Sequence, residues 1–324
     1  MNILSKIIKK RSMCLIILLV LSLFSLHIGV KEFHLWDLLT RRGGDLELAI
    51  LSRIPRLMSI LVTGASLSIA GLIMQTITNN KFVSPSTAGT MEWCRFGIML
   101  AILLFGSQSS FLKMLIAFLT AFLGTLLFMK VLSKIKYKDA VLVPLIGMMM
   151  GNVISSITTF FAYRFDIIQN MSSWLQGDFS LVIKGSYELL YLGIPFLILA
   201  CLYSHHFTIA GMGESFSKNL GLNHQSVMML GLVIVGLITS SIVVTIGSIS
   251  FVGLIIPNLV SIYKGDNLKH TIFDTAVIGA GFLLICDMIG RVLIAPYEIP
   301  ISVIVSVVGS LIYLVLILRR KVHA

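Results

Sequence analysis

The chain has 324 residues, 57% hydrophobic and 12% charged, with a mean hydropathy of +0.98, which excludes a soluble globule with an ordinary polar surface and leaves a polytopic membrane protein. The net charge of +11 would suggest nucleic acid as a partner in a soluble protein. Here the basic residues cluster beside apolar runs, with no basic stripe carrying stacking aromatics, so they read as topology signals and no nucleic-acid partner is expected.

With roughly 20 residues per crossing as the yardstick, about ten apolar segments emerge in one all-α bundle that forms a single domain, 1–324. They lie near 13–30, 57–78, 88–106, 111–132, 141–163, 187–207, 226–246, 249–263, 271–291 and 299–318. The first has the basic flank and apolar run of a signal peptide but no small-x-small cleavage site. Cys14 stands at the wrong end of that run for lipid attachment, so the segment reads as an uncleaved span. The eighth is short and carries Gly253 and Pro257; it is either re-entrant or a crossing, and parity favours a crossing. Lys6, Lys9, Lys10 and Arg11 precede the first span and Arg319, Arg320 and Lys321 follow the last. Both termini are therefore expected in the cytoplasm of a multi-pass cell-membrane protein.

This topology puts Lys134, Lys136, Lys138, Lys218 and the 264–269 turn inside. Lys31, Arg41, Arg42, Arg53 and Arg56 fall outside, against the usual bias. Arg53 and Arg56 bracket Pro55, which is expected to bar helix continuation and fix the chain just above the second span. Arg291 falls at the outer end of the ninth span. Guanidinium forks suit bidentate recognition of carboxylates, so Arg53, Arg56 and Arg291 are candidates for docking an acidic partner. The alternatives are contact with lipid headgroups or pairing with Asp45, Glu47 or Asp287.

Small residues recur at helical spacing, Gly64, Ser68 and Gly71 in the second span and Gly147 and Gly151 in the fifth, which suits close helix packing. The fifth span also holds Met148, Met149 and Met150 beside Asn152, Ser155, Ser156 and Thr158. Such an adaptable, mildly polar wall suits a path for a bulky solute, with Met148, Asn152 and Ser155 as lining; a Met run packed in the bundle is the other reading. Charges inside the spans are few. Glu92 with Arg95, and Asp287 with Arg291, are spaced for pairing on one helix face, which lowers the cost of burial.

A polar island interrupts the pattern at 211–226. Gly213, Glu214 and Ser215 can open a helix of about two turns, with the acid favoured by the macrodipole, and Gly221 suits the left-handed residue that closes it. Phe216 and Leu220 share a face, while Ser217, Lys218 and Asn219 are expected to stay wet. The island is either a docking knob or an amphipathic loop on the bilayer surface.

Conventional catalysis finds no support. There is no phosphate-cradling G-x-x-x-x-G-K-[ST] loop, so any ATP must be hydrolysed by another chain. His205 and His206 are adjacent and point to different faces, and the other histidines are isolated, so no metal site or cofactor is expected. Cys14, Cys94, Cys201 and Cys286 stand singly in apolar stretches, which indicates neither disulfides nor a zinc site.

Several ordered motifs together resemble the iron-siderophore and vitamin B12 permeases of ABC importers, the FecCD family. Gly213, Glu214, Leu220 and Gly221 match its "GE…LG" segment, which by resemblance is the coupling helix seated in a groove of the ATPase. Arg53, Pro55, Arg56, Gly64, Leu67, Gly71, Gln75 and Asn80 resemble its "R-L-P-R…G…L…G…Q…N" signature. Phe251, Val252, Gly253, Leu254 and Pro257 look like "G-F-V-G-L…P", and Arg291, Ala295, Pro296, Glu298 and Pro300 like "A-R…A-P-x-E-x-P".

The resemblance implies an importer of ferric siderophore or a related chelate, with two ATPase copies, a second permease chain, homologous or identical, and an extracellular siderophore-binding protein with acids that meet the outer arginines. Asn80 and Phe82, with the 134–139 loop, would form the cytoplasmic gate. The NKFVSP…AGTMEW wording resembles the branch associated with catecholate-type siderophores, often paired with a different permease chain. The chain departs from the pattern in three places: Lys81 replaces a proline, Asn258 and Ser261 replace a histidine and an arginine, and residues 91–95 replace a Gly-rich start of the third span. The competing class is an ion-coupled secondary transporter, which would place unpaired carboxylates near the midplane.

Overall fold

The computed structural model describes residues 11–28, 49–106, 110–134, 142–183, 185 and 187–321. Lys6, Lys9, Lys10, Lys31, Arg41, Arg42, Asp45, Glu47, Lys136 and Lys138 lie outside the described residues. Thirteen α-helices follow in order: α1 (Arg11–His27), α2 (Ile54–Ile77), α3 (Thr90–Phe105), α4 (Ser110–Ser133), α5 (Leu142–Arg164), α6 (Ile168–Leu175), α7 (Gly193–Leu202), α8 (Ser204–Gly211), α9 (Glu214–Asn219), α10 (His224–Ile246), α11 (Val252–Lys264), α12 (Leu268–Val292) and α13 (Ile301–Lys321). No strand occurs among the described residues.

Five helices are long and apolar enough to cross a membrane alone: α2 with its leader, α4, α5, α10 and α12. Residues 188–202 and 204–211 are bent by 61° and make a sixth if the two count as one broken span. Helices α1, α11 and α13 are shorter apolar passes, and α3, at 16 residues, is about 24 Å long. Each matches one of the ten expected segments. The sixth differs in being broken near Tyr203, where the helix restarts and turns toward the polar island.

Side-chain contacts assign the two ends of the bundle. Arg11 reaches Asp274 and the carbonyl of His270 at the start of α12, whereas Arg291 at its end reaches the carbonyls of Ser25 and Ile28. Helices α1 and α12 are therefore parallel. Helix α2 runs opposite, with Arg56 beside Asp287 and the residues after its C-terminus beside Ser261 and Asp266.

Pro55 does not stop the chain. Residues 49–53 form a π-helix that leads into α2, and the proline sits in the first turn of the α-helix, where its missing N–H removes little. Close packing centres on α2, α10, α11 and α12, which share one apolar core. A β-carbon on Gly64 would lie 2.6 Å from the carbonyl oxygen of Gly279, and one on Gly71 only 1.8 Å from that of Gly253. Only glycine permits these backbones to touch.

Helix α11 has 13 residues, about 20 Å, too short for a hydrocarbon core of about 30 Å. The irregular stretch 247–251 supplies the remaining depth. Its polar backbone is partly satisfied inside the protein: Gly247 N donates to Val243 O at 3.0 Å, and Ser248 N donates to Leu175 O at 2.9 Å. Irregular backbone at membrane depth survives where protein covers it or where it lines a cavity, and both conditions hold here, as the lining below makes clear.

Candidate functional site

Four regions along the bundle hold the polar chemistry. At one end, Asp287 takes two arginines: Arg56 Nη2 donates to its Oδ1 at 2.8 Å, and Arg291 Nη2 meets its Oδ2. Arg56 Nη1 also donates to Glu298 Oε2 at 2.7 Å, and Arg53 donates to the carbonyl of Leu26. Arg56 and Arg291 are only 13% and 7% exposed. Of the arginines predicted to meet a partner, Arg56 and Arg291 are thus tied to acids of the chain itself and Arg53 to a backbone carbonyl, closing α1, α2, α12 and the 298 turn together. Asp287, offered as an alternative partner, is their shared counter-ion.

Below this network two cavities adjoin. The larger, of about 400 Å³, is walled by Glu92 and Arg95 of α3, Thr158 and Thr159 of α5, Met171 and Ser172 of α6, Gln176, Ser248, and Ser302 at the start of α13. The smaller, of about 260 Å³, includes Leu67, Ser84, Pro85, Phe251 and Leu254, and shares Met91 and Val243 with the first. Met148, Asn152, Ser155 and Thr159 are spaced along one face of α5. Met148 and Asn152 are exposed and Ser155 is partly so; of this face only Thr159 lines the larger cavity, and the three predicted residues lie outside both cavities. Gln176, Ser248 and Ser302 escaped sequence reasoning. They come from three distant segments, and no local pattern marks them.

At the opposite end, Asn80 Oδ1 accepts from Phe82 N at 2.9 Å, fixing a tight turn after α2. Phe82 is 62% exposed and its ring meets Tyr313 edge-on with centroids 6.4 Å apart. Lys81 contacts Asp266 and, at 3.0 Å, Ser261 Oγ, and Asn258 Nδ2 donates to the carbonyl of Lys81 at 2.8 Å. Three positions that depart from the family's pattern therefore meet in one clasp with Asp266. In sequence they appeared unrelated, and their pairing across 177 or more residues was unreadable there.

The polar island folds into α9 as expected. Glu214 opens it, Gly213 and Gly221 hold φ of 106° and 75°, and Gly221 N to Lys218 O with Leu222 N to Ser217 O close it, both at 3.0 Å. These two bonds make a Schellman ending. Ser217 corrects the expectation: it is fully buried, its hydroxyl 2.8 Å from Gly213 O and 3.3 Å from His224 Nδ1, because a short helix returning to α10 needs a polar pin on its inner face. Phe216 and Leu220 are 46% and 55% exposed. They present the apolar face to the outside. Helix α8, which leads into α9, abuts the C-terminal end of α2, where a β-carbon on Gly211 would stand 2.8 Å from Thr76 O.

Among the described residues no group of three or more His, Cys, Asp or Glu converges on a metal position. None of the four cysteines is in a disulfide; three are buried, and Cys201 is exposed on α7.

The profile of the FecCD transport family matches residues 14–320. The chain belongs to the FecCD transport family. It is 54% identical to the petrobactin import system permease protein YclN of Bacillus subtilis, over 95% of this chain and 98% of that one. It is 40% identical to the ferric-anguibactin transport system permease protein FatD of Vibrio anguillarum, over 91% and 94%. A solved structure of a metal-chelate type ABC transporter in an inward-facing conformation superposes with a TM-score of 0.85 at 24% identity, over 94% of this chain and 97% of the other, which shows a common fold. As a FecCD permease this chain is a multi-pass cell-membrane subunit without ATPase chemistry. It works with a separate ATPase, a second permease and a substrate-binding protein.

Proposed function

We propose that this chain forms half of a membrane pathway for a ferric siderophore, in an assembly of two permease chains, homologous or identical, with two ATPase copies and both termini cytoplasmic. The observation that carries the reading is the 54% identity to a petrobactin permease along nearly the full length of both chains; the ferric-anguibactin relative places the same chemistry at greater distance. Petrobactin or a similar oxygen-rich chelate is the cargo we infer. An ion-coupled carrier is disfavoured, because Asp274, Asp287 and Glu92 each stand beside a cationic side chain.

The roles follow the geometry. Gly213, Glu214, Phe216, Leu220 and Gly221 dock α9 into the ATPase, and the contact of α8 with α2 carries its displacement to the turn of Asn80 and Phe82, the cytoplasmic gate. Met148, Asn152 and Ser155 line the pathway. Arg53, Arg56 and Arg291 receive acids of the binding protein, with one refinement: Arg56 would exchange Glu298 for an external carboxylate, since its guanidinium is already engaged. Exchange of this kind acts on orientation and dissociation more than on long-range capture.

Reconstitution of the permease pair with its ATPase and binding protein in proteoliposomes tests the reading. ATP-driven uptake of ferric petrobactin is the expected result, and failure of any ATPase to co-purify with the permease overturns it. Leu220→Asp should insert normally yet lose ATPase association by several kcal/mol, because an unpaired charge enters a desolvated apolar contact. Unchanged association and uptake would return α9 to the role of a surface loop.

A further inference from the structure

Glu92 and Arg95, both in the wall of the larger cavity, form an ion pair that is incomplete. Glu92 Oε2 and Arg95 Nη1 are 3.5 Å apart, beyond the 2.7–2.9 Å of a good charge-assisted hydrogen bond. Glu92 Oε2 and Arg95 Nε are buried with no hydrogen-bond partner. The outer network differs, with Arg56 at 2.8 Å and 2.7 Å from its two acids. Arg291 Nε of that network is likewise without a partner, so what sets the Glu92–Arg95 pair apart is the length of its contact. The remaining wall offers hydroxyl and amide groups from Thr159, Gln176, Ser248 and Ser302, and Gly151 leaves room against Glu92, with the Glu92 Cγ 3.1 Å from where a β-carbon would sit.

We propose that Arg95, positioned by Glu92, is a recognition point for an anionic ferric chelate in the outer chamber of the pathway; this rests on the siderophore reading above. A ferric complex of carboxylate or catecholate oxygens carries net negative charge and presents adjacent oxygens. A guanidinium meets these with its planar fork, and the Nη groups, on a side chain 42% exposed, supply the two donors. Glu92 keeps the fork against the wall, and its opposing charge limits how tightly the chelate is held. A conducting site must bind well enough to admit cargo and weakly enough to release it.

The position suits the first contact. Ser302 in the cavity wall stands four residues beyond Glu298 of the outer network, and the smaller cavity continues through Met91 toward Ser84 and the gate turn. Cargo released at the outer end meets Arg95 before it meets Asn80 and Phe82.

Two probes separate charge recognition from packing. The permease–ATPase complex in nanodiscs, without binding protein, is titrated with an anionic ferric tris-catecholate and with an uncharged ferric tris-hydroxamate across a range of salt. Wild type should prefer the anionic probe, more strongly at low salt. Arg95→Gln should weaken the anionic probe roughly tenfold and leave the uncharged one unchanged. Arg95→Lys should retain part of the preference, and Glu92→Gln should tighten the anionic probe while slowing ATP-driven uptake in proteoliposomes. Co-purified ATPase verifies assembly for each variant. Equal loss for both probes, or no change in either, overturns the assignment. If wild type imports ferric petrobactin and Arg95→Gln keeps the charge preference, this inference alone falls. If wild type imports no ferric chelate, the siderophore reading fails and takes this one with it.

Discussion

Helices α2 and α5 have nearly the same length, 24 and 23 residues, yet 78% of the spanning window of α2 is buried within the chain and only 22% of that of α5. The more apolar helix is the one hidden from the surroundings. If α5 faced lipid the order would be reversed, because lipid-facing positions favour apolar side chains and polar groups point toward protein or water. Asn152 and Ser156 are exposed on α5, whereas the exposed positions of α2 lie near its first turns. The open side of α5 is the face we propose for the second permease and the cargo, and α2 is the fixed post against which the chain is built.

The largest expected effect attacks the fixed side. Asp287→Ala leaves Arg56 and Arg291 buried beside each other with Glu298 alone to compensate, which should cost about 3–5 kcal/mol. Thermal melting of the purified permease should drop sharply, and Asp287→Glu should recover part of the loss. If Asp287→Ala melts like wild type, the network is not what closes α1, α2 and α12.

A matched pair of substitutions then tests the contrast itself. Gly71→Ala forces a methyl into the backbone of Gly253 at 1.8 Å and should cost about 1–3 kcal/mol or more through overpacking. Gly151→Ala approaches the Glu92 Cγ at 3.1 Å, a side chain able to give way, with the Gly89 Cα at an ordinary 3.5 Å, and should cost clearly less than Gly71→Ala. Equal destabilisation by the two would erase the distinction between post and open wall.

Asn152→Leu sharpens the meaning of the exposed face. On a lipid-facing helix this change would stabilise insertion and leave transport intact. The pathway reading instead expects a clear fall in uptake with unchanged assembly, measured in proteoliposomes. The smallest effect is at the inner clasp, where Lys81→Met removes a partly exposed contact to Asp266 and should change stability by no more than about 1 kcal/mol. Its readout is the basal ATPase rate, which should rise if the clasp restrains the gate turn. A rate identical to wild type would make the clasp decorative.

Much of this molecule was legible in one dimension. Ten apolar runs foretold ten passes because the bilayer thickness fixes the length of a span and the backbone must satisfy itself there. The helix of the polar island was readable because its ends are set by local chemistry, an acid in the first turn and a glycine able to take positive φ. Even the Asp287–Arg291 contact followed from helical spacing alone.

Tertiary structure decided what spacing cannot encode. It gave Arg56 the two acids of α12 and the 298 turn, buried Ser217, which looked wet, and carried helical backbone through Pro55 by way of a π segment. It joined Lys81 to Asn258, Ser261 and Asp266, and it gathered Gln176, Ser248 and Ser302 around Glu92 and Arg95. In each case the deciding partner lies dozens to hundreds of residues away or depends on which face a neighbour covers. Local periodicity specifies a helix and its faces, but the identity of what meets each face arises only when the helices pack.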